Sequence, residues 1–304
     1  MRIVKKSILF ILCVVASSCS TNNSKYILYE VTKLHQKIYI LGVMHVLPNK
    51  YAQIPASVNK AYQKSGVLFV ESLIGKNEKR SFRYSPVVIP TAADAEYIEA
   101  QINQLDKDGL ILESEKANIR NASAASLQSE FTQIIYRRVL KSRNLDYLSH
   151  SGNTNGLDQM LVDRADIEKK NVRSLEPAGS HRNVPQSNCS SYDRYRQSLN
   201  GLMKATYSDD YIIKVNLLIK LLFDGRLEEF TNTLNQLAES YGHVKLEMEC
   251  SNVPRTIAWA KNWEILFKET EISLVVVGAA HLTVKPTLTE LLAEQGYQIN
   301  RVID

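Results

Sequence analysis

Cysteine is scarce in this chain, with four in 304 residues, and Cys13 and Cys19 fall in the first twenty positions. That leaves Cys189 and Cys250 for the folded part, enough for one disulfide in an oxidising compartment and too few for a disulfide scaffold. No C-x-x-C occurs, so neither a zinc-finger pair nor a thioredoxin-type motif is present. Glycine (12) and proline (8) are too few for a fibrous or low-complexity chain. Also missing are G-x-S-x-G, a Walker sequence, G-x-G-x-x-G and H-E-x-x-H. Serine-hydrolase, nucleotide-binding and zincin chemistries thereby lose their usual signatures. Charge of one sign is lacking too. The formal +5 includes Arg2, Lys5 and Lys6; without them, 34 basic residues face 32 acidic ones. No basic cluster interleaved with aromatics suggests a nucleic-acid face, and nucleic acid is not an expected partner.

The only long apolar run, Ile8 to Ala16, follows the positive residues at 2–6 and is too short for a stable transmembrane helix. Residues 1–18 read as a signal peptide. Ala16-Ser17-Ser18-Cys19 resembles a bacterial lipobox, in which Cys19 would be lipidated, with Ala16 where Leu or Val is usual. Residues 19–25 then form a polar tether. Simple secretion is the alternative. Either way the chain is expected in the cell envelope, lipid-anchored at the membrane or periplasmic.

What is abundant is ordinary globular composition, 44% hydrophobic and 23% charged, in residues 26–304. Two apolar β-type runs stand out. Ile38 to His45 (IYILGVMH) and Leu274 to His281 (LVVVGAAH) each end in G-x-x-H, and the chain has only six histidines. Each run is followed by a Pro-started helix, at Pro55 and at Pro286, a glycine stop, at Gly66 and Gly296, and another strand. The predicted fold is therefore α/β: a mostly parallel mixed sheet built from two βαβ-like units, with a large helical insertion over about 91–250. Within the insertion, helices are predicted around Ala95 to Leu105, Leu127 to Ile135 and Leu157 to Ala165. A short strand is predicted at Val172 to Leu175. The helix capped by Ser208 is apolar on nearly every side through Phe223, which predicts burial between layers. The next helix, through Leu237, is expected to stop at Gly242, and Asn252 to Phe267 is the last long helix.

Four predicted strands end in ionisable groups: His45, Glu71, Glu176 and His281. In an open α/β sheet, the carboxyl ends of parallel strands face the ligand crevice. Two imidazoles and one carboxylate suit a divalent ion such as zinc, manganese, cobalt or iron. His45, His281 and one of the two glutamates, Glu71 or Glu176, are the expected ligands, with the remaining carboxylate as general base. Arg255 is expected to pair with a crevice carboxylate or bind substrate. Trp259 and Trp263 read as core, and Asp158 and Asp163 as ordinary surface charges. His35, His150 and His181 read as solvated, and His243 as interacting with a helix end.

These residues resemble the TraB/PrgY/GumN family, related to the TIKI metalloproteases and to the erythromycin-esterase and ChaN-like group. The resemblance is carried by Ile38 to Glu71, by Gly156 to Glu176 (GLDQMLVDRADIEKKNVRSLE) and by Val275 to Val302. It implies an α/β fold and places His45, His281 and Glu71 at a metal centre holding Mn, Co or Zn, with Glu176 in the family's L-E segment. Arg255 and Trp259 are similar to the R-N-x-x-W segment, with Thr256 in place of asparagine; Pro177 and Ala178 also depart from the common pattern. The activity implied is that of a metal-dependent hydrolase acting on a peptide or small molecule. Sequestration of a peptide without turnover is the alternative, and haem or iron binding by analogy with ChaN-like proteins is a third.

Overall fold

A computed structural model of the chain describes residues 26–45, 53–71, 92–120, 134, 156–176, 192–268 and 270–303. The predicted signal peptide, tether and Cys19 lie outside the described residues. So do Cys189, His150, His181 and all of the predicted 127–135 helix except the buried Ile134.

Six strands form one sheet: β1 (Ile27–Lys33), β2 (Gln36–Val43), β3 (Val67–Val70), β4 (Asn171–Ser174), β5 (Ile272–Gly278) and β6 (Gln298–Arg301). Their order is β4-β3-β5-β2-β1-β6. The first four in that order run parallel, while β1 pairs antiparallel with both β2 and β6. Burial follows from composition. Val67 to Val70 of β3 and Leu274 to Val277 of β5 are continuous apolar runs, and all are buried, as covered parallel strands must be. Each fully buried aliphatic side chain there contributes roughly 1.5–3 kcal/mol. The edge strand β6 (QINR) alternates exposed with half-buried positions.

The two βαβ-like units interlock. Helix α1 (Ala56–Lys64) carries the chain from β2 to β3, and β5 lies between those strands. Strand β5 connects through a 3-10 turn (Ala279–Leu282) and a short helix (Leu288–Glu294) to β6, with β2 and β1 between. That helix starts later than predicted, at Leu288 instead of Pro286. Thr287 is its cap: its hydroxyl accepts from the Glu290 N–H while the Glu290 side chain accepts from the Thr287 N–H.

Among the described residues, the other helices are α2 (Ala92–Lys107), α3 (Glu113–Arg120), α4 (Leu157–Glu168), α5 (Tyr192–Thr206), α6 (Asp209–Phe223), α7 (Leu227–Ser240), α8 (Gly242–Glu247) and α9 (Val253–Phe267). The helix after β5 is α10. Helix α6 departs from the expectation of burial all round. Its apolar face is buried, but Ile213 and Leu217, one turn apart, remain exposed. Gly242 also departs: it opens α8 instead of only stopping α7, because Tyr241 already takes the extended cap conformation. Helix α8 runs through a π-type turn (Met248–Asn252) into α9, so Arg255 sits at the start of a helix already under way.

Ring packing fixes α9 and α6 to the sheet. Phe267 lies 4.4 Å from Phe69 of β3 and 4.5 Å from Trp263, and Tyr26 beside β1 meets Phe223 edge-on at 4.8 Å. Trp259 and Trp263 are buried in the core as predicted. Cys250, in the π-type turn, is disulfide-bonded, with its partner outside the described residues.

Candidate active site at the sheet rim

Strands β4, β3, β5 and β2 are neighbours and point the same way, so their carboxyl ends share one rim. Glu176, Glu71, His281 and His45 lie just beyond those ends, as the sequence predicts. The structure brings all four together around Arg255.

Glu71 is the centre of the arrangement. Its Oε1 accepts the Gly278 N–H at 2.5 Å and lies 3.7 Å from His45 Nε2 and 3.5 Å from His281 Nε2. Its Oε2 accepts from Arg255 Nη2 at 2.5 Å, while Arg255 Nε donates to Glu176 Oε1 at 2.6 Å. Gly278 has ordinary dihedrals (φ −56°, ψ 137°), so its contribution is space. A Cβ there would stand 3.2 Å from Glu71 Oε1 and 3.3 Å from His45 Nε2. The glycine of the first motif works differently: a Cβ on Gly42 would stand 2.9 Å from a Leu282 methyl, away from the carboxylates.

The two histidines are not equivalent. His281 is buried in the 3-10 turn, against the Trp259 ring at 4.3 Å. Its Nδ1 lies 2.7 Å from Thr256 Oγ1, which is also 2.7 Å from the Asn252 carbonyl. With the Thr256 proton on the Asn252 carbonyl, Nδ1 is the donor and Nε2 turns a lone pair toward Glu71; with that proton on Nδ1, Nε2–H faces Glu71 instead. Burial lowers the His281 pKa to about 4, against the opposing pull of Glu71. His45, at the mouth of the site, keeps 52% of its side chain exposed. Its Nδ1 meets Asp158 Oδ2 at 2.9 Å. Desolvation would lower its pKa, but hydrogen bonds to Asp158 and Glu71 outweigh that and raise it well above the usual histidine value. Desolvation would likewise raise the Glu71 carboxyl; Arg255 and the two imidazoles hold it well below the carboxylate range. Arg255 itself is held charged by both carboxylates against its burial and lies over the Trp259 ring at 4.9 Å.

Sequence reasoning missed two residues. Asp158 is no ordinary surface charge: it opens α4 and orients His45. Gly156 makes that approach possible, since a Cβ there would stand 2.4 Å from the His45 carbonyl oxygen. Thr256 orients His281. His243 is also corrected: it is buried in α8 with Nε2 3.2 Å from the Tyr211 hydroxyl, so it serves the helical core and not a helix end.

The model of the TraB/PrgY/gumN family matches residues 27–301. The chain belongs to that family. The match spans the sheet, the helical stretch and all four rim residues of this TraB/PrgY/gumN protein. No curated protein and no solved structure matches the chain.

The chemistry of the rim can be set against a metal ion. Among the described residues, no group of three or more His, Cys, Asp or Glu side chains is placed so that it could hold a metal ion as it stands. What the TraB/PrgY/gumN rim offers is an open set: two Nε2 atoms facing one carboxylate oxygen, each ring held from behind. Two ligands about 2.1 Å from a tetrahedral ion stand about 3.4 Å apart. The two separations from Glu71 Oε1, 3.5 and 3.7 Å, are slightly longer than that spacing, so the side chains would have to move inward to share one ion. Partners on the far ring nitrogens, such as Asp158 and Thr256, are the usual support of ligating histidines.

Proposed function

We propose that this protein is a metal-dependent hydrolase of the bacterial cell envelope with peptidase-like chemistry. His45, His281 and Glu71 hold a divalent ion (Mn, Co or Zn). One observation carries the reading: both Nε2 atoms flank Glu71 Oε1, at 3.7 and 3.5 Å. In the tautomer with the proton on Nδ1, the His281 lone pair faces a carboxylate, an arrangement that a cation between them would relieve.

These residues would hold the ion, and the chemistry it would supply there is polarisation of a carbonyl and a lowered pKa for a water molecule. The chain's own residues do the rest. Asp158 and Thr256 fix the ring orientations. Arg255 keeps Glu71 Oε2 occupied, so Oε1 alone faces the histidines. Glu176 serves as general base, while its Oε1 anchors Arg255. Cys19, when lipidated, tethers the domain to the membrane through residues 19–25. No helix of the described residues is long and apolar enough to cross a membrane.

A second reading has its own support. Arg255 engages both carboxylates at 2.5 and 2.6 Å, which favours a stable binding crevice that sequesters a peptide without turning it over. A peptide-library cleavage assay separates the two. The hydrolase reading expects cleavage that a chelator abolishes, that added Mn, Co or Zn restores, and that His45→Ala and His281→Ala eliminate. Cleavage indifferent to chelator and to both substitutions would sink it. Peptide binding without cleavage favours sequestration.

A further inference from the structure

Strand β4 ends at Ser174, which pairs with Val70 at the end of β3, and the Leu175 N–H donates to the Val70 carbonyl at 2.8 Å. Past that bond the ladder is over, while Glu71 and Glu176 still lie ahead. The Ser174 hydroxyl carries the connection further. It donates to the Glu71 carbonyl at 2.9 Å and accepts the Glu176 N–H at 3.0 Å. The two roles cannot be exchanged, because a carbonyl only accepts and a backbone N–H only donates. Accepting from the residue two further on is also a serine turn, which bends the chain as it leaves β4 for Glu176.

We propose that Ser174 is a positioning residue of the rim, holding Glu71 and Glu176 at the spacing that Arg255 and a metal ion require. What the two glutamates do rests on the metal-hydrolase reading; how they are held rests on the hydrogen bonds alone.

Arg255 is the reason that spacing matters. Its guanidinium is a rigid planar fork, so it reaches two separate carboxylates only when these stand a set distance apart. Nη2 meets Glu71 Oε2 at 2.5 Å, and Nε meets Glu176 Oε1 at 2.6 Å. Both carboxylates are largely buried, with 11% and 8% of their side chains exposed, so a misplaced one has little water to turn to. Ser174 ties the backbones of both glutamates together at the point where β3 and β4 release them. A hydroxyl that merely ended β4 would contribute the same stability with Arg255 or without it.

The test is a double-mutant cycle in urea on the full chain, Ser174→Ala against Arg255→Met, with a cobalt titration beside it. Ser174→Ala is expected to raise the unfolding constant about tenfold in the wild-type background. Beside Arg255→Met its effect should be smaller by at least about threefold, the mark of coupled residues. It should also weaken cobalt binding about tenfold. Ser174→Thr keeps the hydroxyl on a residue suited to a strand and should restore both properties. Equal effects of Ser174→Ala in the two backgrounds would overturn the proposal. So would a Ser174→Thr protein no better than Ser174→Ala, cobalt affinity unchanged in Ser174→Ala, or a Ser174→Ala chain that does not fold, since the hydroxyl would then hold the whole sheet. A wild-type protein that takes up no cobalt would remove the hydrolase reading, and the urea cycle with its threonine rescue would decide on Ser174 by itself.

Discussion

Asp158 Oδ2 lies 2.9 Å from His45 Nδ1, across 113 residues of chain. The contact joins the start of α4 to the end of β2 and fixes which face of the His45 ring looks into the site. Thr256 does the same for His281 from α9. Each motif histidine thus has a partner supplied by a helix outside its own βαβ-like unit.

Loss of either partner should loosen the site without unfolding the domain. Asp158→Asn and Thr256→Val are expected to lower divalent-metal affinity by about 10- to 100-fold, the usual effect of removing a partner behind a ligating histidine. Calorimetric titration of Mn, Co or Zn into each variant measures it. Affinity equal to wild type in both would mean that the rings hold themselves.

Gly278→Ala tests the space at the centre. The dihedrals suit alanine, so the thermal midpoint should stay within a few degrees of wild type. The new methyl would sit 3.2 Å from Glu71 Oε1 and 3.3 Å from His45 Nε2, and metal affinity should fall. Gly42→Ala is the contrast: its Cβ meets Leu282 at 2.9 Å, so it should cost stability by overpacking, about 1–3 kcal/mol, before it touches the site.

Arg255→Met takes from Glu71 and Glu176 the guanidinium that they share, leaving Glu176 without its ion pair and Glu71 with the His45 imidazole as its neighbouring positive group. Breaking a buried pair on one side typically costs about 3–5 kcal/mol. Urea unfolding at neutral pH should show a loss of that order, with part of it recovered in Arg255→Met/Glu176→Gln. A double variant no more stable than the single one would mean that Glu176 draws its stability from elsewhere.

His243 gives the helical stretch a pH dependence of its own. Burial in the Tyr211–Tyr241 cluster lowers its pKa to about 4 from an ordinary 6.5. The unfolded chain therefore binds the proton first. The associated stability is fully present above pH 6.5 and drains away as pH falls toward 4, by about 3 kcal/mol in total. His281 adds to the loss in the same direction. Urea midpoints at pH 7 and pH 4.5 should differ less for His243→Gln than for wild type; an unchanged difference would place the effect elsewhere.

Much of this architecture was legible in the sequence because it is written in local patterns. The apolar runs of β2, β3 and β5 gave both the strands and the residues at their ends, and Val172 to Leu175 gave β4. The four rim groups follow from that, since neighbouring parallel strands must share a rim. Long-range contacts were not legible. Asp158 looks like any acidic residue in a helical first turn, and only its place beside Gly156 in the Gly156 to Glu176 block hinted otherwise. Thr256, next to Arg255, drew attention for what it replaces and not for what it touches. Gly242 looks like a stop because nothing local shows that α8 begins at once, and the same gap hides the burial of His243. Pro286 looked like a helix start because the Thr287–Glu290 capping box lies just beyond it.

The most direct test is a divalent-metal titration of the chelator-stripped protein, with His45→Ala and His281→Ala alongside. One equivalent of Mn, Co or Zn bound by wild type, and lost in both variants, is the expected result. A wild-type protein that takes up none of the three ions, or variants that bind as tightly as wild type, would contradict a metal centre built on Glu71 and the two histidines.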